Sequence, residues 1–63
     1  MYEIGEKRKF EMPNSIFYTG MIVEKEGNQL RIETQRGEDL TINISRIVQS
    51  KLLGEDRDGT ESD

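Results

Sequence analysis

The fold of this chain depends on the stretch FYTGMIV, residues 17–23, which continues through Lys25 to a turn at residues 26–28. It is the most apolar run in the sequence and is rich in aromatic and β-branched residues, which favour extended strands. Gly20 lies in its middle, where a strand must bend sharply or let another backbone come close. Because both faces of the run carry apolar residues, we predict a long, curved strand over residues 15–25 that serves two sides of a small closed sheet.

Two shorter strands are predicted after this one. Residues 28–35 and 39–45 alternate apolar and polar side chains, which is typical of strands with one buried face. Between them, the turn at residues 36–38 contains Gly37, which accepts a positive φ without steric cost. The predicted core combines the inward-facing residues of both strands with one residue from each flanking segment: Ile22, Leu30, Ile32, Leu40, Ile42 and Val48.

A further strand is predicted before the long one, over residues 7–12. Arg8, Phe10 and Met12 share one face of it. The following Pro13-Asn14-Ser15 predicts a turn, since Pro restricts φ and the Asn and Ser side chains can hydrogen-bond to their own backbone. The chain therefore reverses direction before the long strand begins.

Residues 45–53 allow two interpretations. In a helix, Ser45 would cap the N-terminus, Gly54 would end it, and the apolar residues would form one stripe. In a strand, residues 48–52 would follow a tight turn and close the sheet. We favour the strand, because an open sheet edge in so small a domain promotes aggregation.

Charge divides the chain into two parts. The net charge is −4, and it comes entirely from residues 54–63, where five acidic residues accompany the single base Arg57. Residues 1–53 carry eight acids and eight bases and are neutral. We predict a small β-barrel domain over residues 1–53 and a disordered acidic tail over residues 54–63, which has no apolar residue to offset the entropy of ordering.

Several classes of function are not expected from this composition. The chain has no Cys and no His, so the usual zinc and iron–sulfur sites cannot form, and we expect no metal and no cofactor. The chain has no His and no apolar pocket that could raise a carboxyl pKa, so it offers few groups suited to acid–base catalysis. We therefore do not expect an enzyme. No window approaches the roughly 20 apolar residues of a membrane span, nor is there the apolar core of a signal peptide. A cytoplasmic protein without membrane contact is the expectation.

Residues 7–53 resemble the Sm-like and SH3-like small β-barrels, the class that contains the bacterial Hfq and the archaeal and eukaryotic Sm proteins. The resemblance rests on the order of parts: a short strand, a turn, a long strand with a central Gly (YTGMI, residues 18–22), two tight hairpins, and a hydrophobic turn and strand at residues 44–53. It implies an all-β, antiparallel SH3-like or Sm-like barrel of four or five strands. It also implies binding of RNA or a single strand and is compatible with a homo-oligomer.

A second resemblance covers less of the chain. GNQLRI, residues 27–32, resembles the central hairpin of the carbon-storage regulator family, which are dimeric RNA-binding proteins, and residues 40–49 fit its last strand and helix loosely. Gly-Asn is also a favourable hairpin turn in any protein.

The candidate contacts for nucleic acid are basic residues with one neighbouring aromatic. Residues 7–9 could contact phosphates while Phe10 stacks a base, although charged residues also protect ordinary exposed strands. Phe17 and Tyr18 could stack bases too, but in so small a domain we expect both in the core. The candidate binding residues are Lys7, Arg8, Lys9, Phe10, Arg31 and Arg46.

Two functions remain open from the sequence. The first is a non-enzymatic module that binds RNA or single-stranded nucleic acid. The second is an adaptor or regulator that binds a protein partner, which the neutral body and acidic tail favour.

Overall fold

A computed structural model describes residues 2–55, which fold into five antiparallel strands in one sheet. Within this range the chain forms no α-helix. The strand order across the sheet is β4-β3-β2-β1-β5. The strands are β1 Glu6–Met12, β2 Ile16–Glu26, β3 Gln29–Glu33, β4 Asp39–Asn43 and β5 Gln49–Glu55, with short 3-10 turns at Pro13–Ser15 and Ile44–Arg46. The prediction of an all-β fold with antiparallel strands is confirmed.

The long strand β2 divides its pairing between two neighbours. Its first half pairs with β1, from Ile16 to Met21, and its second half pairs with β3, from Met21 to Glu26. An irregularity in the β2–β3 register lies between Ile22 and Glu24, just after this change of partner. Bulges of this kind bend a strand and increase its local twist. The irregularity thus lies next to the point where the strand changes partner.

Gly20 is needed where this strand passes the end of β3. A β carbon built on Gly20 would lie 2.8 Å from the carbonyl oxygen of Glu33 and 3.2 Å from the Ile32 side chain. Both distances are shorter than ordinary van der Waals contacts. The central Gly thus permits the close approach of another backbone, which is one of the two roles predicted for it.

The turn between β1 and β2 uses the three residues that predicted it. Pro13 begins the 3-10 turn, and Asn14 and Ser15 follow with φ values of 73° and 61°. Asn is among the residues that tolerate this left-handed region best. The reversal places Met12 opposite Ile16, so β1 and the first half of β2 form a hairpin.

The core lies on one face of the sheet and draws on four strands. Its buried residues are Phe10, Ile22, Leu30, Ile32 and Ile42. Four of these were predicted from the sequence, and Leu40, also predicted, is half-buried against them. Val48 was predicted wrongly: its side chain is 61% exposed, because it precedes β5 at one end of the sheet. Phe10, absent from the predicted core, is completely buried.

The C-terminal segment is a strand, as the favoured interpretation predicted. The Asn43 side chain accepts a hydrogen bond from the Ser45 backbone N–H at 3.0 Å and stabilises the preceding turn. β5 then pairs with β1, and it continues past the predicted boundary at residue 53, since Gly54 pairs with Lys7 and Glu55 with Glu6. The predicted tail accordingly begins two residues too early, and the rest of that prediction concerns residues 56–63, which lie outside the described residues. No helix in the described part of the chain has the length and hydrophobicity to cross a membrane.

Candidate nucleic-acid interface

The side of the sheet opposite the core carries three lysines. Because side chains alternate along a strand, Lys7 and Lys9 of β1 point away from the core side on which Phe10 lies. On the neighbouring strand β5, Lys51 is paired directly with Lys9. We call the exposed surface formed by Lys7, Lys9, Lys51 and the neighbouring Phe17 the lysine face.

The pairing of Lys9 with Lys51 is electrostatically unfavourable. Side chains directly opposite each other on antiparallel strands have β carbons about 5 Å apart, and like charges at such positions are destabilising. The ion pairs found among the described side chains, Glu6 with Arg8 and Glu24 with Arg31, do not involve these lysines. No described carboxylate therefore lies within 4 Å of the three ammonium groups, and an anion bound between the lysines would relieve their repulsion.

An aromatic ring lies beside the lysine pair. Phe17 of β2 is 49% exposed, and the Lys9 ammonium lies 4.9 Å from the centre of its ring. The expectation that Phe17 and Tyr18 belong to the core was wrong, since Tyr18 is 36% exposed as well. Their half of β2 pairs with β1 alone, so no strand of the sheet covers its other side. An exposed ring next to a cation is a suitable surface for stacking a base.

Two shallow pockets lie along this face. The first, of about 160 Å³, is lined by Lys9, Glu11, Phe17, Gln49, Ser50 and Lys51. The second, of about 360 Å³, includes Lys7, Met21, Glu33 and Leu53 in its lining. Lys7 and Lys9 are alternate residues of β1, so the two pockets follow one another along that strand.

Two of the candidate residues predicted from the sequence do not reach this surface. Phe10 is fully buried and cannot stack a base. Arg8 lies on the core side, where its guanidinium donates to Glu6 at 2.7 Å and to Ser50 at 3.0 Å and lies 5.1 Å from the ring centre of Tyr2. Both were proposed because they adjoin the lysines in sequence, but alternation along β1 turns them to the opposite face.

The other two candidates lie away from the lysine face. Arg31 of β3 is paired with Glu24 at 2.9 Å, and the pocket beside it also contains Glu26, which makes it unfavourable for an anion. Arg46 is exposed at the end of the turn before β5. The structure thus brings Lys7 and Lys9 together with Lys51 and Phe17, and separates them from Arg31 and Arg46.

Lys51 and Gln49 were missed by the sequence reasoning. Their segment was open between helix and strand, and the partner of each residue depends on the register between β1 and β5. Once β5 is treated as a strand beginning near residue 48, the alternation places Gln49 and Lys51 on one face. That pattern was the available signal, but it does not say which residues of β1 they face.

A polar network occupies the edge of the core beneath this face. The Glu6 carboxylate accepts hydrogen bonds from the Arg8 guanidinium and from the Glu3 backbone N–H, and Ser50 links Arg8 to the hydroxyl of Tyr2. The hydrogen bond from Arg8 holds the pKa of Glu6 below its ordinary value of 4.5, against the opposing effect of burial. The network neutralises Arg8 and ties the N-terminal segment to β1 and β5.

Comparison with protein-family models finds no match for this chain, and comparisons with curated proteins and with solved structures find none either. Among the described residues there is also no cluster of three or more acidic side chains that could hold a metal ion. The site is therefore described by its own geometry: three lysines and an exposed ring on one face of a five-stranded antiparallel sheet.

Proposed function

We propose that this chain is a non-enzymatic small β-barrel of the Sm-like or SH3-like kind that binds RNA or single-stranded nucleic acid through the lysine face. The observation that carries the proposal is the direct pairing of Lys9 with Lys51, two cations that form no ion pair with a described carboxylate. A phosphate group bridging them converts a repulsive pair into two charge-assisted contacts. Lys7 supplies a further cation on the same strand and face.

The barrel is supported by burial and strand pairing. Five side chains on one face of a single sheet are almost completely removed from water, although no second layer of helices covers them within residues 2–55. A sheet of this size buries its apolar face by curling over it, and bulges supply the necessary bends. Bulges occur in both the β1–β5 and the β2–β3 registers.

The exposed ring favours a single strand over a duplex. In a duplex the bases are stacked on one another, whereas an unpaired base can stack on Phe17 while its phosphate contacts the neighbouring lysines. Stacking accepts every base, because each has a π-face. Three lysines on a neutral body provide only a few phosphate contacts, so we expect modest affinity that depends strongly on salt.

The test is a titration of a fluorescent single-stranded RNA heptamer, followed by anisotropy over a range of salt concentrations. With three phosphate contacts, the logarithm of the binding constant should fall against log salt with a slope of about −2. The double substitution Lys9→Gln/Lys51→Gln should weaken binding and bring the slope to about −0.7.

The matched control also removes two positive charges, but from residues outside the lysine face. Lys25→Gln/Arg36→Gln leaves the lysine face intact and should retain nearly all of the affinity and the slope. Equal loss of binding in both double variants would show attraction by overall charge and would refute the lysine face as the site. No binding by the parent at low salt would refute nucleic-acid binding itself.

A second function is favoured by a specific feature on the core side of the sheet. At the end of the sheet, Val48 is 61% exposed, Ile16 is 46% exposed and Tyr18 is 36% exposed. Exposed apolar residues grouped at one end of a small protein are typical of a protein-binding surface. The chain would then act as an adaptor, or associate with a second copy of itself.

A pull-down from native lysate, with and without nuclease, separates the two functions. Partners that disappear after nuclease treatment support nucleic-acid binding. Partners that persist after nuclease treatment but are lost with Ile16→Ser/Val48→Ser support the adaptor. Light scattering of the purified chain reports whether these two residues also mediate self-association.

A further inference from the structure

The first pocket on the lysine face, of about 160 Å³, contains one acidic side chain, which phosphate binding alone does not require. Glu11 of β1 is half-buried there, directly opposite Gln49 on β5 and directly opposite Phe17 on β2. It forms no ion pair with Lys9 or Lys51 among the described residues, although both line the same pocket. The two carboxylate oxygens of Glu11 are therefore available to accept hydrogen bonds from a ligand.

A base stacked on Phe17 would present its edge to these groups. A carboxylate accepts hydrogen bonds only, so it favours a base edge with adjacent donors. Guanine has two such donors, N1–H and the N2 amino group. Uracil has a single N–H between two carbonyl oxygens that a carboxylate repels, and adenine and cytosine each place a ring nitrogen acceptor beside their amino group.

Gln49 complements the same base. Its amide can donate to the O6 acceptor that adjoins N1 on guanine, while the Glu11 carboxylate accepts from N1–H and N2. Since Glu11 and Gln49 are paired across β1 and β5, their β carbons are about 5 Å apart, a separation at which both can reach one base edge. Lys9 and Lys51, in the next pair along the strands, remain available for the phosphate.

We propose that this pocket selects guanine within a single strand, with Phe17 as the stacking surface, Glu11 and Gln49 as the groups that read the base edge, and the lysines as phosphate contacts. The inference rests on the proposed nucleic-acid function and adds a base preference to it.

The experiment compares four uridine-based RNA heptamers that differ only in the central nucleotide: guanosine, adenosine, cytidine or uridine. A single guanine avoids the self-association of guanine-rich strands. A good bidentate contact discriminates against the wrong base, so we expect the guanosine heptamer to bind about tenfold more tightly than the others. Affinities are measured by anisotropy at one low salt concentration.

Two variants assign the preference to Glu11. Glu11→Gln keeps the size of the side chain but offers only one acceptor oxygen, and it should reduce the preference for guanosine to about twofold or less. The same substitution should strengthen binding of the all-uridine strand, because a negative charge leaves the pocket. Glu38→Gln removes the same charge from the exposed turn between β3 and β4 and should leave the preference unchanged.

The outcomes separate this inference from the proposed function. Equal binding of all four heptamers with the expected salt dependence would overturn the guanine preference and leave nucleic-acid binding in place. A preference that persists in a folded Glu11→Gln variant would also overturn the inference. If the parent binds none of the heptamers at low salt, both proposals fail.

Discussion

The carbonyl oxygen of Glu33 lies so close to Gly20 that a β carbon at residue 20 would be 2.8 Å from it. Glu33 is the last residue of β3, and Gly20 lies in β2 beside Met21, the residue with which Glu33 pairs. The contact falls where β2 leaves its pairing with β1 and begins its pairing with β3. It joins the part of the sheet that carries the lysine face to the part that supplies most of the core.

We expect Gly20→Ala to destabilise the protein by about 1–3 kcal/mol, because the added methyl group meets backbone that cannot move aside without disturbing the β2–β3 pairing. Urea unfolding measures the change. Gly54→Ala is the control, since a β carbon there meets nothing within 4 Å, and it should change the free energy of unfolding by less than about 0.5 kcal/mol. Equal stability of the two variants would contradict the role of the close approach.

Ile42→Ala should cost about 2–4 kcal/mol, since it creates a cavity among the buried residues. A domain of this size has only a few kcal/mol of total stability, so the variant should be largely unfolded at room temperature. Circular dichroism during thermal unfolding provides the measurement. Val48→Ala truncates an apolar residue that is mostly exposed and should leave the melting temperature within a few degrees of the parent. A cooperative Ile42→Ala transition near the parent's would refute the assigned core.

Glu6 should make the free energy of unfolding depend on pH. Its pKa is lowered in the folded state by the hydrogen bond from Arg8, so the folded state binds the proton less readily than the unfolded chain. The resulting stabilisation is present above the ordinary glutamate pKa and is lost as the pH falls through the lowered value. In urea titrations, the stability advantage of the parent over Glu6→Gln should be largest near pH 7 and should shrink below about pH 4. An advantage independent of pH would contradict this assignment.

Phe17→Leu should weaken single-strand binding by about 1–3 kcal/mol, because it removes a stacking surface. The slope of affinity against salt should stay the same, since no phosphate contact is lost. Tyr18→Leu is the matched control: Tyr18 is the neighbouring exposed aromatic, but it is paired with Phe10 on the core side of the sheet, and its loss should leave affinity unchanged. A change in salt slope in Phe17→Leu would point to an indirect effect through Lys9.

Removing residues 56–63 should tighten nucleic-acid binding. This segment carries four acidic residues against Arg57, and it continues from Glu55, next to the Gly54–Lys7 pair. Negative charges on the same chain lower the attraction of the lysine face for phosphate, and salt screens this effect. The effect should be largest at low salt in the heptamer titration, and a variant with the four acids replaced by their amides should behave like the truncated chain. Unchanged affinity in both would rule out this effect.

The strands β3 and β4 could be predicted from the sequence because their signal is local. Leu30 and Ile32 alternate with polar residues, and a strand with one buried face needs no more than this two-residue period. The role of Gly20 within β2 could also be predicted, since a glycine inside a strand indicates a bend or the close approach of another backbone. Which backbone approaches Gly20 could not be known, because Glu33 reaches it only through the β2–β3 register.

The composition of the candidate site could not be predicted from the sequence either, because it depends on which face is buried and on the register between strands. Along residues 6–12, one face carries only charged residues, whereas the other combines Glu6 and Arg8 with two apolar residues. Periodicity therefore placed Arg8 with Phe10 but could not say whether this mixed face would be buried. The burial of Phe10 decided this and directed Lys7 and Lys9 outward. Lys51 is distant in sequence and faces Lys9 only because β5 pairs with β1 in one register. The sequence by itself determined the strands before residue 45 and favoured one after it. The tertiary structure decided which charges meet, because register and face depend on the burial of residues from several strands at once.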